Sequence, residues 1–138
     1  GEYDMAIADY SMAIELDPLD EANHFGRGRA YAWLDDYEMA IADYSKAIEL
    51  DPQHAGAYQG RGKAYSWLDE WEMAIADFSK AIELDPQAAL SYDGRGMAYW
   101  WLAEDEKAIA DFRKVLTLTD DPYLISRAED ALIKLEAD

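Results

Sequence analysis

The sequence predicts an all-α solenoid, a row of helix–turn–helix units stacked side by side without strands. Three observations carry this. First, the block Ala-Ile-Ala-Asp-Tyr-Ser-Lys-Ala-Ile-Glu-Leu-Asp-Pro at 40–52 recurs almost unchanged at 6–18 and 74–86, and in worn form at 108–120. Second, Pro18, Pro52 and Pro86 lie 34 residues apart and Pro122 follows after 36. A fixed period in this range marks stacked units, each packed only on its neighbours. Third, between the prolines the apolar residues return at helical spacing.

Residues 1–16 form one amphipathic helix on which Tyr3, Ala6, Ile7, Tyr10, Ala13 and Ile14 recur. Asp17-Pro18 stops it, because a proline pushes the residue before it out of the α region. Asp20 then caps the next helix. Residues 21–54 make the first full unit, with a helix over 21–34, a turn at Asp35-Asp36 and a second helix over 37–50. Residues 55–88 repeat it, with helices over 55–68 and 71–84 around Asp69-Glu70. Residues 89–122 repeat it less faithfully: Ala103 replaces the turn Asp, and Thr117-Leu118-Thr119-Asp120-Asp121 loosens the exit. A last helix over 124–135 carries Leu124, Ala128, Leu132 and Leu135 on one face and lacks the glycines of the other first helices. Residues 123–138 therefore act as a cap on the apolar end of the stack. The expected layout is a single domain, residues 1–138, with a leading half unit (1–20), three full units and this cap. The chain opens at Gly1 in mid-repeat, as a piece of a longer protein or an engineered array would.

Composition narrows the function. With 51% hydrophobic and 13% aromatic residues there is material for a continuous core. The net charge of −18 opposes nucleic acid, whose binding depends on cationic side chains facing phosphates, and opposes anionic membrane surfaces. It favours solubility and basic partners. No apolar run approaches the ~20 residues of a membrane helix. There is no cysteine, which excludes disulfides and thiolate chemistry and leaves the compartment open.

Catalysis has little to stand on. The two histidines, His24 and His54, have no nucleophile partner in the sequence pattern. His24 sits in an aromatic slot of the repeat and is expected to pack; His54 is expected at the surface. Gly26-Arg27-Gly28 lies within a helical pattern, so it is no nucleotide fingerprint. Asp35-Asp36 and Asp120-Asp121 lack the alternating spacing and glycine of a calcium loop and are expected as helix caps. No enzyme activity, cofactor or metal is expected.

The pattern resembles the tetratricopeptide repeat family, a 34-residue helix–turn–helix with W-x2-L-G-x2-Y, then A-x3-F, then P. Here the units read His24-x2-Arg27-Gly28-x2-Tyr31, Tyr58-x2-Arg61-Gly62-x2-Tyr65 and Tyr92-x2-Arg95-Gly96-x2-Tyr99. They continue with Ala40-x3-Tyr44, Ala74-x3-Phe78 and Ala108-x3-Phe112. The resemblance implies a right-handed solenoid. Gly28, Gly62 and Gly96 permit close helix approach, and the aromatic residues fill the space between layers. One departure stands out: the usual Leu slot holds Arg27, Arg61 and Arg95, while an Asp recurs at Asp9, Asp43, Asp77 and Asp111. The expectation is a ladder of Arg–Asp contacts between first and second helices.

By resemblance, the first helices line a concave groove that binds a peptide segment of a protein partner. The candidate groove residues are Phe25, Arg29 and Trp33 in the first unit, Gln59, Lys63 and Trp67 in the second, and Asp93, Met97, Trp100 and Trp101 in the third. The first two units agree at 23 of 34 positions, and the pairs 22/56, 25/59, 29/63 and 32/66 are among the differences, as a face that carries specificity requires. A clamp of Lys, Asn and Arg, with which some family members hold the terminal carboxylate of chaperone tails, is absent: those slots hold Phe25, Arg29, Gly60, Leu90 and Gly94. A ligand with apolar anchors and some acidic character is expected. The alternative is self-assembly, with a second copy covering Tyr3, Ile7 and Tyr10 on the leading helix.

Overall fold

The computed structural model describes residues 1–137. Eight helices follow one another among the described residues: α1 (Glu2–Leu16), α2 (Glu21–Trp33), α3 (Tyr37–Leu50), α4 (Ala55–Trp67), α5 (Trp71–Leu84), α6 (Ala89–Trp101), α7 (Asp105–Leu118) and α8 (Pro122–Glu136). Each packs on the next, and the first helices of successive units also touch, α2 on α4, α4 on α6 and α6 on α8. The expected helix–turn–helix stack is thus in place.

Local chemistry sets the helix ends. The tight turn inside each unit needs one residue in the left-handed region: Asp35 (φ 57°), Asp69 (φ 58°) and Ala103 (φ 57°). Aspartate tolerates that region because its short side chain bonds locally, and Asp35 accepts a hydrogen bond from the Tyr37 hydroxyl at 2.8 Å. Ala103 has no such compensation. Asp20, Asp36 and Asp121 cap α2, α3 and α8 by accepting backbone N–H bonds. His54 departs from its expected surface place. It is half-buried, caps α4 by accepting from the Ala57 N–H at 3.0 Å, and packs 4.5 Å from the Phe25 ring.

The Arg–Asp ladder forms in all three full units. Arg27 Nε and Nη2 donate to the two carboxylate oxygens of Asp43 at 2.7 and 2.8 Å. Arg61 holds Asp77 at the same two distances, and Arg95 holds Asp111 at 2.8 Å twice. A third donor completes each joint. Nη1 of each arginine donates at 3.1 Å to a serine on the preceding second helix: Ser11, Ser45 and Ser79. One guanidinium therefore ties three helices, two of its own unit and one of the unit before. Asp9 does not join the ladder; it is exposed, and Arg27 reaches α1 through Ser11 instead.

A second joint lies one residue earlier in each Gly-Arg-Gly triplet. A Cβ built on Gly60 would lie 2.7 Å from Tyr44 Cζ, and Gly26 and Gly94 face Tyr10 and Phe78 more tightly still. At Gly28, Gly62 and Gly96 the nearest atoms are 3.1–3.2 Å away. The aromatic ring of one unit thus fits where the next unit has no side chain. This overturns the expected open face of α1: Tyr10 packs over Gly26 and Tyr3 stacks on Trp33, because that face of a second helix belongs to the following unit. The large apolar residues that α1 leaves most exposed are Met5, Met12 and Leu16.

At the other end, α8 closes the core. Leu124, Ala128, Ala131 and Leu132 cluster with Ala108, Phe112 and Val115. The joints generate a paired prediction. Gly94→Ala forces the Phe78 ring to move and lowers stability by about 1–3 kcal/mol, less the ~1 kcal/mol that alanine gains in a helix. Ala103→Gly relieves the left-handed turn and raises stability by about 1 kcal/mol. Urea unfolding of the two variants checks both signs.

Candidate functional site

The first helices present one side chain from each turn to the inner face, and the repeat places equivalents side by side. Arg29 and Trp33 are one turn apart on α2; Lys63 and Trp67 occupy the same places on α4. All four line one cleft of about 370 Å³, floored by Gly60 and Ala64 and closed below by Tyr44. The tryptophans are neither buried core nor free-standing. Each lies parallel to an aromatic residue that opens a second helix of the preceding unit: Tyr3–Trp33 at 5.7 Å, Tyr37–Trp67 at 5.9 Å and Trp71–Trp101 at 5.4 Å between ring centres. One indole face is covered by the stack while Trp33, Trp67 and Trp101 stay 65, 64 and 66% exposed. Exposed aromatic rings held rigidly are strong anchors for a partner.

The cleft carries two cations and one carboxylate. Arg29 and Lys63 are exposed, and among the described residues neither has a carboxylate within 4.0 Å. The outer lysines differ: Lys46 pairs with Glu49 and Lys80 with Glu83, both at 3.3 Å. Asp35 also lines the cleft, with its carboxylate engaged by the Tyr37 hydroxyl.

Several expected groove residues lie elsewhere. Phe25 is half-buried in the joint between units, 5.8 Å from the Tyr44 ring and close on His54. Gln59 donates to Ser91 at 3.2 Å and lines a second cleft of about 430 Å³ with Leu90. Asp93 is buried and holds Arg127 of α8 at 3.0 Å. Met97 and Trp100 pack on the C-terminal core, Trp100 edge-on to Phe112 at 6.5 Å. Positions 25, 59 and 93 thus share one role, each meeting the start of the next first helix: Phe25 lies against His54 and Gly56, Gln59 meets Ser91 on α6 and Asp93 meets Arg127 on α8.

The comparisons with known proteins agree with this architecture. Family profiles described as Tetratricopeptide repeat match residues 24–54, 55–88 and 89–122. The chain belongs to the tetratricopeptide repeat family. A search of curated protein sequences gives no match. Among solved structures, a MamA protein is 28% identical, with a TM-score of 0.89 over 99% of this chain and 75% of that one. The first tetratricopeptide repeat domain of Spaghetti (RPAP3), bound to the HSP90 peptide SRMEEVD, is 26% identical, with a TM-score of 0.80 over 85% of this chain and 90% of that one. The Arabidopsis OM64 domain is 27% identical, with a TM-score of 0.80 over 85% and 94% of the two chains.

Within this tetratricopeptide repeat array the cleft has a neutral floor. Burial pushes the Tyr44 phenol up to about 12, against an ordinary value of 10.0, and the nearby Arg29 offsets part of that. A raised value in the folded state means that the unfolded chain ionises first, so folding stability is intact below pH 10 and falls as pH rises through about 12. Tyr44→Phe, which installs the residue of Phe78 and Phe112, is expected to move the alkaline unfolding midpoint upward. Circular dichroism across that pH window checks it.

Proposed function

We propose that this chain is a protein-interaction scaffold that holds a peptide segment of a partner in the groove of its first helices. The observation that carries the reading is the cleft walled by Trp33 and Trp67 and rimmed by the unpaired cations Arg29 and Lys63, in a chain of net charge −18. Cations gathered on the inner face of an acidic protein favour a ligand with acidic side chains, steering its approach and orientation more than adding affinity. The tryptophans supply the apolar anchors, at about 25 cal/mol per Å² of apolar surface buried. Related structures support the class of ligand: the second RPAP3 domain, 29% identical, is solved with the HSP70 peptide SGPTIEEVD.

A random-peptide display selection against two proteins tests this. One is the chain itself; the other carries Arg29→Glu, Lys63→Glu and Trp67→Ala, with unchanged helicity verified first. Peptides that enrich on the first and not on the second are expected to combine apolar with acidic residues. No enrichment, or the same peptides on both, contradicts the groove.

A second reading, self-assembly, rests on α1. Met12 stands where the other second helices carry Lys46, Lys80 and Lys114, and Leu19 stands where Gln53 and Gln87 do. Met5, Met12, Leu16 and Leu19 are 69, 65, 87 and 73% exposed. An apolar stripe of this kind is a surface that a second copy covers. Light scattering over a concentration series is expected to show association that Met12→Lys with Leu19→Gln abolishes; a strict monomer at high concentration removes this reading.

A further inference from the structure

The row of stacked aromatic pairs suggests which backbone conformation the groove ligand adopts, an inference that rests on the groove reading above. Three features of the row have to be met at once. The rings are flat, rigid and open on one face, because Tyr3, Tyr37 and Trp71 cover only the other. They recur once per unit, and since α2 only grazes α4 and α4 only grazes α6, the first helices lie at the wide end of the spacing of packed helices, about 10 Å. Beside each ring, one helical turn earlier and about 5–6 Å away, sits Arg29, Lys63 or, in the third unit, Met97.

A polyproline II segment meets all three. It has three residues per turn and a rise of about 3.1 Å per residue, so one turn spans about 9 Å. A proline repeating every third residue therefore falls in step with the helix spacing, one ring for each tryptophan. Proline rings pack flat on aromatic grooves, and the conformation is set before binding, so little ordering entropy is lost. The backbone carbonyls of such a segment are free of internal bonds, and indole N–H groups are donors. An acidic residue in the same triplet lies beside the proline and faces Arg29 or Lys63.

We propose that the face formed by Trp33, Trp67 and Trp101 with Arg29 and Lys63 is a track for a proline-rich acidic segment in the polyproline II conformation. An α-helical ligand can match the spacing every two turns, about 10.8 Å, but its backbone carbonyls are bonded within the helix and leave none for the indole N–H groups.

The test is a titration of the full chain, followed by tryptophan fluorescence and calorimetry, with three synthetic peptides of about four turns each. One consists of Glu-Pro-Pro triplets, one of Glu-Gly-Gly triplets and one of Lys-Pro-Pro triplets. The first is expected to bind at least about tenfold more tightly than either other, and Trp67→Ala to weaken it by about tenfold or more. Trp67→Phe, which keeps a flat ring on Tyr37, is expected to retain most of the binding. Equal binding of the Glu-Pro-Pro and Glu-Gly-Gly peptides overturns the polyproline assignment, and equal binding of the Lys-Pro-Pro peptide overturns the charge assignment. If display selection enriches peptides without proline and the Glu-Pro-Pro peptide is silent, the track is wrong and the groove stands. If neither selection nor titration gives a ligand, both fall.

Discussion

The structure depends on a guanidinium that serves two joints at once. A solenoid unit has no long-range contacts to fix its place, so every unit must be held both within itself and against the unit before it. In this chain one arginine per unit does both: two of its nitrogens close the bond to the aspartate of its own second helix, and a third reaches the serine of the preceding one. The aspartate is buried, and the arginine's pKa is raised above its ordinary value by that hydrogen bond, so the guanidinium stays charged at every pH at which the protein folds. A planar, bidentate contact also fixes orientation in a way that a lysine or a leucine does not. Arg61 and Arg95 further lie over Tyr58 and Tyr92, at 5.9 and 5.6 Å, which shields the pair from water.

With the joints fixed, the aromatic residues divide between two tasks. Tyr10, Tyr44 and Phe78 are spent on the seam, seated over Gly26, Gly60 and Gly94. Trp33, Trp67 and Trp101 stay at the surface, each held flat by a neighbour yet open on its other side. The acidic side chains form caps, turns and the ladder, while Arg29 and Lys63 are left on the inner face. The same repeat that builds the core thus builds a periodic surface of rings and cations. The two ends differ. Helix α8 turns Leu124 and Leu132 into the last unit and takes Asp93 with Arg127, whereas α1 leaves Met12 and Leu16 outside.

The repeat architecture is legible because period, breaker and cap all point the same way: Pro18, Pro52 and Pro86 at one interval, with Asp20, Asp36 and Asp121 at the starts of α2, α3 and α8. The ladder was legible too, since Arg61 and Asp77 recur together in every unit, and a buried charge needs a partner. The serine was not, because Ser45 sits in another unit and nothing in the spacing marks a hydroxyl as a third partner. The tryptophan stacks are not legible in the sequence for a related reason. Tyr37 and Trp67 are both periodic, but their contact crosses from one unit to the next, 30 residues away rather than 34. In the candidate groove, Arg29, Trp33, Lys63 and Trp67 line one cleft, as the close repetition between units one and two implies. Asp93, Met97 and Trp100 lie apart from it: Asp93 meets the next first helix as Phe25 and Gln59 do, a contact between units that spacing within one unit does not mark, and Met97 and Trp100 pack on the C-terminal core. Helical spacing puts Tyr3, Ile7 and Tyr10 on one face of α1 but does not show which neighbour covers it.

The central claim is that the arginine–aspartate bond holds the units in register, and a double-mutant cycle at Arg61 and Asp77 tests it most directly. Arg61→Leu and Asp77→Leu are made singly and together, and stability is measured by urea unfolding. Either single change is expected to cost about 3 kcal/mol or more, since it strands a buried charge or cuts the joint, while the double variant costs much less than the sum. Single costs that add to within about 0.5 kcal/mol would contradict the account. They would mean that the pair is a by-product of a stack held together by the glycine–aromatic seam alone.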